Sequence, residues 1–248
     1  MAGRMKISVC MATYQGERYL KEQVESILSQ LGADDELVVS DDCSTDGTLR
    51  ILDELADARI RVSSNPTNLG YSKNFESALR RATGDIIFIA DQDDVWLPDK
   101  VATMSQALEL HDLVVSDVAI VDEDLTETHP SHFKLYGTRS GFVPNLLHTR
   151  YIGAAMAMHR RVLDLALPLP RRSELCAYDY WIAVVAELYF DVGLVERPLM
   201  LYRRHHLTAS TGGERSPFSL AHRLAVRVYC LAHLAARAGR RRGDRTPS

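Results

Sequence analysis

Over the first 120 residues, short continuous apolar runs alternate with segments of helical period, and no other feature limits the possible folds as much. Residues 7–13 (ISVCMAT) lack polar–apolar alternation, which marks a strand covered on both faces. Residues 17–31 follow, with Leu20, Val24, Ile27, Leu28 and Leu31 at helical spacing. The pairing recurs as strand 36–40 with helix 48–58, strand 60–63 with helix 72–83, strand 85–90 with helix 98–111, and strand 113–121. Gly84 suits the C′ position of the third helix, and Pro98 the start of the fourth. Parallel strands need a crossover and helices provide it. The rhythm therefore predicts an α/β fold: a mostly parallel, Rossmann-like sheet with helices on both faces.

The second half is less regular. Residues 122–150 read as a loop-rich connection, 154–158 and 198–202 as further strands, and 179–189 as a helix carrying Trp181, Val184, Val185 and Leu188. From Arg215 onward the composition changes: eight arginines accompany one acid, Asp244. Leu220, Leu224, Val228, Leu231 and Leu234 form an apolar stripe with Arg223, Arg227 and Arg237 beside it, and Arg240, Arg241 and Arg242 follow. Two readings stay open for this tail: a helix packed on the domain, or a helix lying on an anionic membrane surface. The chain thus divides at 214/215, with a nucleotide-binding half at 1–121, an acceptor-binding half at 122–214, and a basic amphipathic tail at 215–248.

Lys plus Arg total 29 against 33 Asp plus Glu, a net charge of −4, which argues against nucleic acid as a partner. The four cysteines, Cys10, Cys43, Cys176 and Cys230, form no CxxC pair and read as free thiols in a reducing compartment. The N-terminus has no apolar secretory core and no run of 18 apolar residues occurs, so the expected location is cytoplasmic, with peripheral contact at the inner membrane face if the tail binds lipid.

Ligands of open parallel sheets bind at the carboxyl ends of the strands. Here those ends read Ala12-Thr13-Tyr14, then Asp41-Asp42 leading into Cys43-Ser-Thr-Asp-Gly47, and Asp91-Gln92-Asp93-Asp94. So many carboxylates on one rim repel unless a cation intervenes, and hard oxygen ligands favour Mg2+ or Mn2+. Asp91 and Asp93, two apart in extended backbone, point the same way. Taken alone, Asp41 and Asp42 also suit a turn or helix cap, because Asp46-Gly47 is a turn signal.

Six segments together resemble the family 2 glycosyltransferases of the GT-A fold. They are Ile7-Ser-Val-Cys-Met-Ala-Thr-Tyr14, Ser40-Asp-Asp-Cys-Ser-Thr-Asp-Gly-Thr48, Asn68-Leu-Gly-Tyr-Ser-Lys-Asn74, Ile89-Ala-Asp-Gln-Asp-Asp-Val-Trp96, Tyr178-Asp-Tyr-Trp181 and Leu201-Tyr-Arg-Arg-His-His206. They occur in the family's order across residues 5–210. The fourth, fifth and sixth look most like bacterial rhamnosyltransferase-type members.

The resemblance implies an inverting transfer from a nucleoside-diphosphate sugar, with dTDP-rhamnose as the expected donor, to a hydroxyl of a glycan or lipid-linked glycan. It implies that Thr13 and Tyr14 line the base pocket, that Asp42 reads a base N–H, and that Asp91 meets the ribose. Lys73 and Asn74 would lie near the ribose or sugar, or simply on a helix surface. Asp93 would bind the metal, with His205 completing its coordination or contacting the diphosphate. Asp179, at the head of a helix, would be the general base; its plainer reading is an N-cap. Trp96, Trp181 and Arg204 would face the sugar or acceptor, though core packing suits either tryptophan equally.

The family often has Asn where Gln15 stands and Gly where Cys43 stands, and His206 and Leu207 replace smaller or more polar residues. Three rival readings fit less well. A haloacid dehalogenase-type phosphatase matches Asp91-Gln-Asp-Asp-Val95 but leaves too few residues before its later acidic motif. A sugar-phosphate nucleotidylyltransferase would need an N-terminal glycine-rich loop. A non-catalytic nucleotide-sugar-binding module would not be expected to keep Asp42, Asp93 and Asp179 together.

Overall fold

A computed structural model describes residues 4–205 and 219–243. The strands are β1 (Ile7–Thr13), β2 (Glu36–Asp41), β3 (Ile60–Ser64), β4 (Ile86–Ala90), β5 (Val95–Trp96), β6 (Leu113–Val121), β7 (Glu127–His129), β8 (Met156–His159) and β9 (Val192–Arg203). The helices are α1 (Leu20–Leu28), α2 (Thr48–Glu54), α3 (Tyr71–Arg81), α4 (Lys100–Ala107), α5 (His132–Tyr136), α6 (Phe142–His148), α7 (Arg160–Ala166), α8 (Tyr178–Tyr189) and α9 (Leu220–Gly243). A 3-10 turn, Gly153–Ala155, leads into β8.

All the strands join one sheet in the order β3-β2-β1-β4-β8-β6-β9-β5, with β7 paired to β6. β1 is parallel to β2 and β4, and β2 to β3. β8 is antiparallel to both β4 and β6, so β6 runs with β4, and β9 is parallel to β6. β5 runs antiparallel to β9. The carboxyl ends of β1, β2, β4, β6 and β9 therefore share one edge of the sheet, and β5 and β8 begin there.

The apolar runs are buried as their lack of alternation requires. Every residue of β2, β4 and β6 is buried, and β6 covers the expected span, residues 113–121. In α1 the inward residues are Leu20, Val24 and Ile27; in α8 all of residues 181–186 are buried. One continuous sheet spans both expected halves of the domain, and the expected 214/215 boundary lies outside the described residues.

Several expectations need correction. Residues 122–150 are not all loop: they hold β7, α5 and α6. The last strand starts six residues before 198, and β5 and α7 carry no periodic signal because they are only two and seven residues long. Gly84 is not the C′ residue of α3, which ends at Arg81 with Ala82 already extended. Its requirement is space: a Cβ there would lie 2.7 Å from the Lys6 carbonyl oxygen and the Ser8 amide.

The tail helix follows the packed reading along one side. α9 packs on the domain through Cys230, Leu234 and Arg237, all buried. Arg237 donates to the Leu167 carbonyl at 2.6 Å, and the Tyr189 hydroxyl donates to the Leu234 carbonyl at 3.0 Å. Of the predicted apolar stripe, only Leu234 faces inward; Leu220, Leu224, Val228 and Leu231 are exposed. The side chains of Arg240, Arg241 and Arg242, like His206 and Leu207, lie outside the described residues. No described helix is long and apolar enough to cross a membrane.

Candidate active site

β1 and β4 are parallel neighbours, but the chain winds outward from β1 through β2 to β3 before crossing back to β4, and crevices form at such a reversal of strand order. Gln92, just past β4, closes that junction. Its side-chain amide donates to the Tyr14 carbonyl at 3.0 Å, and its oxygen accepts from the Tyr14 amide at 2.8 Å. The exchange copies a strand ladder with a side chain. It fixes the backbone of Tyr14 and leaves its half-exposed ring on the rim. Thr13 differs from expectation. It is buried, and its hydroxyl donates to Asp41 at 2.9 Å, so it ties the end of β1 to the end of β2.

Asp41 and Asp42 are both buried and both hold local backbone in place. Asp41 is buried and also accepts from the Ser44 amide at 2.9 Å, shaping the turn after β2. Asp42 accepts from Asn65 Nδ2 (2.9 Å) and from the amides of Leu69 (2.8 Å) and Gly70 (2.9 Å), which draws the loop before α3 onto β2. Oδ1 takes two of these donors and Oδ2 one, so Oδ2 keeps acceptor capacity. Asn74 is buried as well: it donates to the Thr13 carbonyl at 3.1 Å and accepts from Asn65 at 2.9 Å. It is therefore a brace, whereas the adjacent Lys73 is exposed on α3.

The Asp91–Asp94 loop crowds three carboxyl groups together. Burial raises the Asp91 carboxyl, the charges of Asp93 and Asp179 raise it further, and Lys100 offsets part of this, leaving it at about 8. Asp94 is fully buried. Its Oδ1 accepts from the Arg203 amide at 3.0 Å, and its Oδ2 has no hydrogen-bond partner. Burial first, then Asp93 and Asp91, push its carboxyl well above the usual range. Beneath the loop sits Lys100, also fully buried, donating to the Ala154 carbonyl at 3.0 Å and the Met200 sulfur at 3.1 Å. Burial brings its ammonium down to about 7 despite the opposing pull of Asp94 and Asp91.

β9 delivers the other side. Arg203 is buried and points inward. Its Nε donates to the Asp93 carbonyl at 2.7 Å, its Nη1 to the Glu123 carbonyl at 2.7 Å, and its Nη2 to Glu22 at 2.6 Å. The guanidinium is thus consumed in holding the acidic loop. Arg204 is half-buried, with its guanidinium 5.9 Å from the Tyr202 ring. His205 Nε2 lies 2.8 Å from Asp93 Oδ2, and its ring lies 5.2 Å from that of Tyr19.

This donor set fits a divalent cation. A carboxylate oxygen and an imidazole nitrogen converge beside Asp91 and Asp94, whose raised carboxyls a cation would relieve, and among the described residues no group of three or more His, Cys, Asp or Glu forms a ready-made metal site. A cation held this way keeps positions for other oxygens.

Asp179 is in the first turn of α8, half-buried, and burial raises its carboxyl. Its Oδ1 accepts from the Tyr180 amide at 2.7 Å. Its charge acts on Asp91, on Tyr178 and on Tyr71, so the helix start faces the acidic rim. Tyr178 stacks on Phe75 at 4.1 Å and meets Tyr71 edge-on at 6.3 Å, joining α8 to α3.

The two tryptophans are not in a sugar pocket. Trp181 is fully buried, and its Nε1 donates to the Ala166 carbonyl at 2.7 Å. Trp96 is buried against Phe88 at 5.6 Å, with the Lys100 ammonium 4.8 Å from its ring centroid. Sequence reasoning assigned no role to Gln92, Asp94, Lys100 or Tyr71. The first two stand inside the acidic motif, where their position was the available signal. Lys100 gave none, because its helix also reads well with a lysine at the surface.

Tyr14, Asp42 and Asp91–Asp94 fall within a match to the family described as "Glycosyl transferase family 2", which covers residues 8–165, while Asp179, Arg203 and His205 lie beyond it. The "Uncharacterized glycosyltransferase MJ1057" of Methanocaldococcus jannaschii is 31% identical over 217 residues, 82% of this chain and 73% of that one. The "Putative glycosyltransferase EpsE" of Bacillus subtilis is 42% identical over 109 residues, 43% of this chain but 39% of its own length. The "dTDP-rhamnosyl transferase RfbG" of Shigella flexneri is 38% identical over 99 residues, 37% of this chain and 34% of that one. Among solved structures, S. aureus TarS 1-349 in complex with UDP-GlcNAc superposes with a TM-score of 0.67 at 21% identity, over 92% of this chain and 72% of that one. The mannosyltransferase PcManGT of Pyrobaculum calidifontis, in complex with GDP-Man and Mn2+, gives 0.61 at 19% identity, over 95% and 76%.

Proposed function

Since the chain belongs to glycosyl transferase family 2, we propose that it transfers a sugar from a nucleoside-diphosphate donor to an acceptor hydroxyl with inversion at the anomeric carbon. What supports this reading is that Asp179, in the first turn of α8, lies within electrostatic reach of the acidic loop: after burial and the charge of Asp93, its charge raises the Asp91 carboxyl. A donor seated between them would present its anomeric carbon to both sides.

In this reading Tyr14 and the free capacity of Asp42 Oδ2 receive the base, and Asp91 the ribose hydroxyls. Asp93 and His205 would hold Mg2+ or Mn2+, which supplies positive charge to the departing diphosphate. Asp179 accepts the proton of the acceptor hydroxyl as its oxygen bonds to the anomeric carbon. The bond from that carbon to the diphosphate breaks with its electron pair on the leaving oxygen. Attack opposite the leaving group inverts the configuration. Burial suits Asp179 to this role, since a carboxylate with a raised pKa is a better base.

We assign dTDP-rhamnose as the donor, with support from the RfbG relative. The wider fold is not tied to one base, as the UDP-GlcNAc and GDP-Man complexes illustrate. The acceptor is a glycan or lipid-linked glycan, met on the cytoplasmic side of the inner membrane, and nucleic acid plays no part. Family membership removes the phosphatase reading. The testing experiment is a thermal-shift series with dTDP, UDP and GDP and their sugars, each with and without Mn2+. A metal-dependent stabilisation strongest for dTDP compounds supports the assignment, because only a ligand of the native state raises the melting temperature. No stabilisation by any nucleotide overturns the transferase reading.

A further inference from the structure

The exposed side of α9 is almost wholly apolar. Leu220, Leu224, Val228 and Leu231 are 76%, 64%, 59% and 44% exposed, and Ala221, Ala225, Ala232 and Ala235 are exposed with them. The surface continues onto α6, where Val143 and Leu147 are 61% and 57% exposed. The two helices meet where the Arg227 guanidinium donates to the Leu147 carbonyl. A soluble surface rarely leaves so many large apolar side chains together without a partner.

Charge indicates which partner. From 220 to 243 the chain has six arginines (223, 227, 237, 240, 241 and 242) and no acid, although the whole protein carries −4. Arg223 is exposed at the edge of the apolar stripe, and Arg237 is committed to the domain. An apolar face with exposed Arg223 at its edge, in a segment whose sequence is rich in arginine and free of acids, matches an anionic bilayer, where leucines enter the acyl boundary and exposed guanidiniums stay among the head groups.

We infer that α9 and α6 together dock on an anionic lipid surface and hold the Asp179 side of the molecule toward it. The inner face of α9 explains the orientation. The Arg172 amide donates to the Tyr229 hydroxyl at 3.2 Å, and the free thiols of Cys176 and Cys230 are hydrogen-bonded to each other, so α9 grips the segment that runs into Asp179. The Tyr180 hydroxyl, one residue past Asp179, donates to the Leu146 carbonyl of α6 at 2.8 Å. The two docking helices therefore brace the first turn of α8 from both sides. Lipid contact itself is independent of the transferase reading; its role in presenting a lipid-linked acceptor rests on that reading.

The test is flotation of the full chain with vesicles of phosphatidylglycerol and phosphatidylcholine in equal parts, against phosphatidylcholine alone. Leu224→Glu combined with Val228→Glu replaces two exposed side chains, and its folding is checked by melting temperature. The parent is expected to float with the anionic vesicles, less so at high salt, and the double variant to bind about tenfold or more weakly at an unchanged melting temperature. The inference is overturned if the parent does not float with anionic vesicles, or if the folded variant floats equally well. It is also overturned if sizing shows a dimer that the variant splits while neither protein floats, since a second copy then covers the stripe. Nucleotide thermal shifts on the same samples separate the outcomes: their absence with flotation intact removes the transferase reading and leaves the docking surface.

Discussion

Asp93 Oδ2 and His205 Nε2 stand 2.8 Å apart, although 112 residues separate them in the chain. The contact exists because β5, which follows Asp93, lies antiparallel against the end of β9, which precedes His205. His205→Ala is expected to lower the affinity for Mn2+ about tenfold or more. It should also remove most of the metal-dependent thermal shift with a nucleoside diphosphate. Direct titration of Mn2+ by calorimetry checks this, and an unchanged affinity would take His205 out of the metal site.

Arg203 is held by two carbonyl groups and Glu22, with its side chain almost sealed from solvent. Arg203→Met should destabilise the fold by about 3 kcal/mol, because the carbonyls of Asp93 and Glu123 lose a charged donor. Urea unfolding with an unchanged slope would report this as a true stability loss.

Asp179→Asn should bind donor nearly as the parent does and lose transfer by more than about a hundredfold. The pH dependence has a definite sign. Burial raises the Asp179 pKa, and the base must be ionised to act, so kcat should fall with decreasing pH starting above the ordinary carboxylate range. The same shift means that ionising Asp179 weakens the fold as pH rises through its pKa. The Asn variant should then melt no lower than the parent at neutral pH, and its kcat should lack that acidic limb.

Cys43 has a φ of 65° and Gln15 a φ of 50°, both left-handed. These are the two positions where the family often has Gly and Asn, the residues that adopt this conformation most readily. Cys43→Gly should gain up to about 1 kcal/mol by relieving the strain, and thermal melting at neutral pH checks it.

Glu36 is buried, which alone would raise its carboxyl. Hydrogen bonds from Ser8 (2.6 Å), Arg61 (2.5 Å) and Thr83 (2.7 Å from its amide) outweigh that and bring it down to about 2. A folded pKa below the unfolded one of 4.5 stabilises above that value, and the gain is lost as pH falls through about 2. Glu36→Gln should be less stable than the parent at neutral pH by about 2 kcal/mol and should converge with it in acid. A constant difference across that range would exclude Glu36 as the source.

Much of the sheet was legible because strands such as 113–121 are covered on both faces and cannot hide their composition. The rim was legible through its carboxylates, since no ordinary core explains acids at two strand ends. Orientation was not legible. Thr13 and Asn74 sit in motif positions yet face inward, and nothing in a linear pattern says which side of a strand end meets solvent. The tryptophans misled for a similar reason: proximity to an acid in sequence does not fix where an indole points, and both are core. Lys100 was invisible because a fully buried lysine contradicts the usual partition of residues, and only the crowd of buried acids above it accounts for the exception.

β5 is two residues long, and its partner in the sheet is β9. During synthesis, Asp91, Asp93 and Asp94 therefore leave the ribosome long before anything can clamp them. The strands that would read a nucleotide can assemble early, while Arg203 and His205 arrive about a hundred residues later, a delay of several seconds at ordinary elongation rates. A nascent or truncated chain would hold the base-binding wall without the groups that restrain the acidic loop. Competence thus waits for β9 and the residues just after it, and fragments that stop before them should be inert toward the cell's supply of activated sugars.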